Sequence, residues 1–395
     1  MSFQHHNQTD GRCPGTDRPL RVAVVASSYN YIRDGVALTL NRLVAYLEQH
    51  GVEVLVFAPV GKIPAFEHAG TLVPVPSIPV PMRPDYRCAF GVPRRALEDF
   101  KPDLMHLALA PDILGYSAIC AARRMGIPLV ASCHTRFDTY LKHYRGSRWL
   151  VPLLKAYLRF AYGAAREVYV PSGSMVEALK ADGVKSVFKL LPRGVDTALF
   201  EPGKRSPAWR AAHGIGTDDF VIAFVSRLVR EKELDTVVAA LQALKAHGVA
   251  HRVLIVGDGP DRAILEAGLP DAIFTGFLEG EELAAAYASS DVFLLPSETE
   301  TFGNVTLEAM ASGLPAVCAD ATGSRSLVVQ GETGYLVAPR KANSFAGRLA
   351  VLAHDPDLRQ RMSLAARQRA LTYSWDESMA KILAHYRAVA VGAAR

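Results

Sequence analysis

The sequence predicts an α/β protein built from two doubly wound, Rossmann-like domains facing across a cleft. Three observations carry this expectation. Short runs of continuously apolar residues recur along the chain, helical apolar spacing fills the intervals, and the alternation stops around 193–217 and then restarts. Apolar strands alternating with helices imply parallel sheets covered on both faces. A chain of 395 residues accommodates two or three domains at about 150 residues each.

RVAVVAS (21–27) reads as the first strand. A helix follows over 36–49, where Val36, Leu40, Leu43, Val44 and Leu47 share one face, and Gly51 closes it. VEVLVFAP is the next strand, with DLMHLAL (103–109), IPLVASC (127–133), REVYVPS (166–172) and VFKLLP (187–192) after it. Helices are expected near 112–125, 148–164 and 173–182. The Pro-rich stretch 73–84 cannot be a central strand and is expected as an extended loop. The aperiodic segment 193–217 reads as the interdomain linker.

Beyond it, strands are expected at 220–226, 251–257, 272–276, 291–297, 314–320 and 335–339. Helices fall near 232–247, 260–267, 281–289, 305–312 and 325–329, and a helical tail runs from 341. The implied organisation is a disordered tail (1–19), a first domain (20–200), a second (201–374) and a terminal segment (375–395). Doubly wound sheets bind ligands beyond the carboxyl ends of their strands, so the loops after the strands are where chemistry is sought.

Composition narrows the class. Half the residues are hydrophobic and 21% are charged, as in water-soluble globular proteins. No apolar run reaches the roughly 18 residues of a spanning helix, and the polar N-terminus lacks a secretory signal. The five cysteines include no C-x-x-C pair, which argues against a zinc ribbon or a disulfide framework and for a cytoplasmic location. The net charge of +5 divides unevenly, +8 over 1–200 and −3 over 201–395, so the first half is expected to meet something anionic. Nucleic acid is disfavoured because no helix-turn-helix, zinc-finger or RRM signature accompanies the charge. Basic and aromatic residues interleave over 136–166, a pattern that suits either adsorption to an anionic membrane surface or a sheet-packed helix with snorkelling cations.

The most specific segment is SETETFGNVTLEAMASGLP (297–315). A polar loop leads into a helix with Asn304 at the expected N-cap position. Glu300 and Glu308 would stand about 80° apart on a continuous helix, but the Thr301-Phe302-Gly303 turn breaks that geometry and lets both line one pocket. Amides near 303–306 would form an anion site. Two acids beside an anion site suit a sugar nucleotide, whose hydroxyls donate to carboxylates while amides hold the diphosphate. Alternatively, Glu308 is a helix-dipole partner and Glu300 a solvated loop residue. In SRLVREKELD (226–235), Arg227 and Lys232 are placed to hold a diphosphate and stabilise it as it leaves.

S-R-L-x-x-E-K, V-G-D-G-P (256–260) and E-T-F-G-N-V-T-L-E-A-M-A-S-G-L-P together resemble glycosyltransferase family 4, retaining sugar-nucleotide transferases of the GT-B fold. The resemblance implies Glu300 at the donor sugar, Glu308 at the ribose, backbone of Phe302, Gly303, Asn304 and Val305 at sugar or phosphate, and Arg227 and Lys232 on the diphosphate. It also implies Gly35, in SSYNYIRDGV, approaching the diphosphate, and His134, in SCHTRFDTY, near the donor sugar. These two segments are similar to the branch of sulfoquinovosyldiacylglycerol synthases and GDP-mannose-dependent mannosyltransferases. Ser324 and Arg325 depart from the family's usual Gly-Gly pair. No D-x-D lies at a strand end in the donor half, and the resemblance implies neither metal nor cofactor. The reading is therefore hexosyl transfer from a nucleoside diphosphate to an acceptor hydroxyl, on a membrane lipid, by a cytoplasmic protein peripheral to the plasma membrane. A glycoside hydrolase would also use two carboxylates, but it has no need of Arg227 and Lys232; a sensor without turnover has no need of Glu300 and His134.

Overall fold

The computed structural model describes residues 11–80, 83–108, 112–135 and 148–392. The chain divides into two compact units, Met1–Pro192 with Asp376–Arg395, and Arg193–Trp375.

The strands of the first unit are β1 (Arg21–Ala26), β2 (Glu53–Ala58), β3 (Thr71–Pro74), β4 (Ser77–Val80), β5 (Arg83–Ala89), β6 (Leu104–Ala108), β7 (Leu129–Ser132), β8 (Glu167–Val170) and β9 (Phe188–Leu190). Seven form one parallel sheet in the order β3-β2-β1-β6-β7-β8-β9. The order reverses between β1 and β6, and that reversal is where such sheets open a ligand crevice. The interior of β1 is entirely buried, as its unbroken apolar run requires. Helix Gly35–Gln49 starts at Asp34, whose carboxylate accepts from the amides of Val36 and Ala37, and it buries Leu40, Leu43, Val44 and Leu47.

The Pro-rich stretch differs from the expected loop. β3 is the sheet's edge, paired only with β2, and β4 and β5 form an antiparallel ribbon. At an edge a proline breaks no interior ladder bond, so extended pairing survives it. The expected tail also differs. Gly11 to Leu20 doubles back on itself, with Leu20 N donating to Gly11 O and Cys13 N to Arg18 O, and Arg18 forks onto Asp103 at 2.6 and 2.8 Å. Residues 1–10 of that tail lie outside the described residues, as do 136–147 of the basic segment.

The C-terminal helix Trp375–Val391 contributes to the first unit's core through Tyr386, whose hydroxyl hydrogen-bonds His106 Nδ1 in β6 at 2.5 Å. Both side chains are buried, and burial pushes the His106 imidazole down to about 3, so it is neutral at physiological pH.

The second unit contains β10 (Val221–Val225), β11 (Arg252–Val256), β12 (Ile273–Gly276), β13 (Val292–Leu295), β14 (Ala316–Ala319) and β15 (Gly334–Val337). They form a six-stranded parallel sheet, β12-β11-β10-β13-β14-β15, whose order reverses between β10 and β13. Segment 193–217 is part of this unit rather than a free linker. Helix Pro207–Ala212 starts at the Ser206 hydroxyl and buries Trp209 and Arg210. The Arg210 guanidinium, 3% exposed, donates to the carbonyls of Ser289 (2.7 Å), Gly216 (2.6 Å) and Asp219 (2.8 Å). A six-residue helix is too short for apolar periodicity to register, which is why the sequence reads as irregular.

Arg210→Met should leave the buried Ser289 carbonyl, and the more exposed carbonyls of Gly216 and Asp219, without their donor, at a cost of about 1–3 kcal/mol. A chemical denaturation curve for the variant should shift to lower denaturant by that amount; an unshifted midpoint would contradict the role given to Arg210.

Candidate functional site

At the reversal in the second sheet, the loops after β10 and β13 emerge side by side. The first carries Ser226 to Glu233, ending in a 3₁₀ turn Arg230–Lys232. V-G-D-G-P, weak as a motif, proves to be the brace of this loop. A Cβ on Gly257, at φ +125°, would stand 2.0 Å from Ser226 O, and one on Gly259 2.3 Å from Leu228 O. Leu228 N donates to Asp258 O at 2.9 Å, and Arg230 N to the Asp261 carboxylate at 3.0 Å. Glycine is required because two backbones pass closer than any side chain permits.

The second loop is bound to the first by two buried hydroxyls. Ser297 Oγ and Thr299 Oγ1 both donate to Glu231 O, at 3.3 and 3.2 Å. Lys232 is thereby set beside Glu300, and their side chains form an ion pair, each only about one-sixth exposed. Arg340 spans the flank, pairing with Glu233 at 3.2 Å and Glu298 at 3.0 Å. Arg227 is half-buried in the same loop as Lys232.

Helix Asn304–Ala311 follows. Its cap is Gly303, in the left-handed region at φ +96°, so Asn304 is the first helical residue and not the N-cap. A helix's first amides have no carbonyl of their own helix to donate to, and no side chain caps these. The Asn304 amide oxygen instead accepts from Arg193 Nη1 at 3.2 Å. Phe302 is 1% exposed with its ring edge-on to Tyr373, so only its backbone can meet a ligand; Val305 packs against the core. One turn further in, Glu308 accepts from the Tyr287 hydroxyl at 3.1 Å. Burial pushes the Glu308 carboxyl up to about 7, against the smaller opposing effect of that hydrogen bond.

The 321–327 loop supplies its close approach through Gly323, where a Cβ would lie 2.7 Å from Glu300 O. Ser324 is buried behind it, and Arg325 pairs with Asp320 at 2.5 Å. Six predicted positions thus converge on one corner of the second unit: Arg227, Lys232, Glu300, Gly303, Asn304 and Glu308. Tyr287, Arg193, Ser297 and Thr299 were not singled out by sequence, since each is a common residue type carrying no spacing signal of its own.

Phe302 and Val305 flank the same corner, and Gly35 and His134 stand at the carboxyl ends of the first sheet. Gly35 opens its helix in exposed position after β1. His134 follows β7, half-buried, with Nε2 2.7 Å from Ser132 Oγ. Nearby, the Ser27 hydroxyl donates to the Asp112 carboxylate, whose other oxygen caps helix Ile113–Met125 through Gly115 N at 2.8 Å. Among the described residues no cluster of His, Cys, Asp or Glu could hold a metal ion.

Residues 205–369 match the family model described as glycosyl transferases group 1, and residues 33–199 match glycosyltransferase family 4. The chain is 38% identical over 379 residues to a GDP-mannose-dependent alpha-mannosyltransferase of Mycobacterium tuberculosis, covering 94% of this chain and 97% of that one. It is 33% identical to sulfoquinovosyl transferase SQD2 of Arabidopsis thaliana, over 92% of this chain and 73% of that one. Sucrose-phosphate synthase from Thermosynechococcus elongatus superposes with a TM-score of 0.79 at 20% identity, over 95% of this chain and all of that one, which shows the shared GT-B fold.

Because the Glu308 carboxyl is raised, the folded chain holds a proton that the unfolded chain releases near pH 4.5. This contribution to stability is complete below that pH and is lost as pH rises toward about 7. The stability difference between wild type and Glu308→Gln should therefore move in the variant's favour across that window. Parallel urea curves at stepped pH measure it, and a pH-independent difference would refute the raised carboxyl.

Proposed function

The chain belongs to the family 4 glycosyltransferases, as a hexosyltransferase that draws on a nucleotide sugar, and from that premise we propose that it moves mannose from GDP-mannose to a lipid-borne hydroxyl with retention at the anomeric carbon. Membership assigns transfer, not hydrolysis. The observation that carries the donor site is the corner where Lys232 and Glu300 meet the uncapped start of helix Asn304–Ala311. Cations and helix-start amides stabilise a departing diphosphate, and Glu300 and Glu308 accept from sugar and ribose hydroxyls. The choice of GDP-mannose rests on the mycobacterial relative, of which that donor is stated.

In the proposed step the anomeric C–O bond to the β-phosphate breaks as the acceptor oxygen bonds the same face of that carbon. The acceptor's proton passes to the leaving phosphate oxygen, so no protein base is needed. Arg227 and Lys232 carry the developing charge, while Glu300 orients the sugar. The second unit holds the donor, and the acceptor is assigned to the first.

A lipid acceptor is supported by the outer face of helix Val151–Gly163. That helix buries Leu154, Leu158, Ala161 and Tyr162 but leaves Leu153 and Phe160 exposed, with Trp149 just ahead at 73% exposure. Tyr116 on helix Ile113–Met125 extends the patch, its ring 6.0 Å from Phe160, and the exposed Arg123 lays its guanidinium over the Phe160 ring at 5.1 Å. The inner face of helix Val151–Gly163 packs into the core, as one reading of 136–166 expects, and the groups on its outer face are what support the membrane reading. Exposed aromatic and apolar residues beside an arginine suit the boundary of an anionic bilayer. No helix of the described residues is long and apolar enough to cross a membrane.

Thermal shift against GDP-, UDP- and ADP-sugars should single out GDP-mannose, and Glu308→Ala should lower its affinity by about tenfold or more. Equal affinity in the variant would overturn the donor assignment. Flotation with vesicles containing phosphatidylglycerol should carry the protein upward, and Trp149→Ser with Leu153→Ser should abolish this without altering the melting temperature. Flotation unchanged by the pair would remove the patch from membrane binding.

A further inference from the structure

The chain passes between its two units twice, at Pro192–Arg193 and at Trp375–Asp376. On the second unit's side these crossings lie against each other. Val195 N donates to Tyr373 O at 3.2 Å, and a Cβ on Gly194 would stand 2.2 Å from Trp375 N. This pairing alone would suffice to fasten the two segments. Yet each also sends one side chain into the loops of the donor corner. Arg193, 8% exposed, reaches Asn304. Tyr373 lays its ring edge-on against Phe302, 5.8 Å between centroids, and donates its hydroxyl to Ser326 O at 2.9 Å, in the loop that presses Gly323 onto Glu300.

The Arg193 contact has a chemical consequence. Asn304 is the first residue of the helix, so by holding its amide oxygen Arg193 fixes the helix start, whose first amides no side chain caps. A guanidinium at this end of a helix also opposes the macrodipole, a cost that an incoming anion reverses. We infer that Arg193 and Tyr373 are positioning residues for glycosyl transfer: through them the paired crossing segments hold the backbone of Phe302–Asn304 and of Ser326 in the geometry that receives the donor's diphosphate. The inference rests on the donor corner proposed above. By linkage, a nucleotide bound there stiffens the crossings, and loosening the crossings weakens the nucleotide.

GDP serves as the probe, with affinity read by calorimetry. Arg193→Met should weaken GDP about tenfold, Arg193→Lys should recover part of that loss, and Tyr373→Phe should weaken it about threefold while leaving the melting temperature in place. In the wild-type protein, hydrogen exchange at 193–195 and 372–375 should slow on saturation with GDP. This last measurement decides the matter even where a variant fails to fold. Unchanged exchange at both crossings under saturating GDP overturns the inference, as does GDP affinity equal to wild type in folded Arg193→Met. If Glu308→Ala binds GDP normally, the donor corner itself is misplaced; if Glu308→Ala loses GDP while Arg193→Met retains it, only the positioning role fails.

Discussion

Two hydroxyl-to-carbonyl bonds organise the second unit's working corner. Glu231 O accepts from both Ser297 and Thr299, in surroundings from which water is excluded. Any slippage between the loops would leave a buried carbonyl and two buried hydroxyls unpaired, a loss of several kcal/mol in total. Those loops are neighbours only because the strand order reverses between β10 and β13. Sheet topology supplies the proximity, and the bonds to Glu231 convert it into fixed register. The pairing of Lys232 with Glu300, and the seating of Gly323 on the Glu300 backbone, follow from that register.

The corner gathers charge that would be costly in an ordinary core. A lysine and a glutamate share a largely buried site, an arginine stands near the positive end of a helix, and a second carboxyl lies under enough protein to bind a proton near neutrality. Each arrangement is unfavourable or marginal for folding alone. All three become favourable beside a molecule that offers negative oxygens at one end and hydroxyls at the other. Folds tolerate such local cost where function repays it.

Much of this was legible beforehand because parallel sheets write themselves plainly. β1, β10 and β13 are unbroken apolar runs, and the residues that end them are turn formers. Glu300, Glu308, Arg227 and Lys232 were readable through their spacing within a recognisable pattern. Reading failed where geometry rather than pattern decides. The extended Pro-rich stretch became strand because it lies at an edge, a position sequence does not announce. Segment 193–217 looked like a linker because its helix is too short to display a period, although Arg210 fastens it as firmly as any core contact. Asn304 looked like a cap by residue type, but the cap is Gly303, one residue earlier, and the Asn304 side chain is held by Arg193, more than a hundred positions away.

The first unit is discontinuous in the chain: its final piece, Asp376–Arg395, comes after the whole of the second. Tyr386 covers His106 in the central strand β6, so that sheet keeps a polar ring and its apolar surroundings uncovered until the closing residues arrive. During synthesis on the ribosome, the later-encoded lobe is therefore able to finish its core first, while the earlier one waits for residues 376–395. A nascent polypeptide of this design exposes its oldest hydrophobic surface the longest, and is a natural client for chaperones that guard incomplete domains.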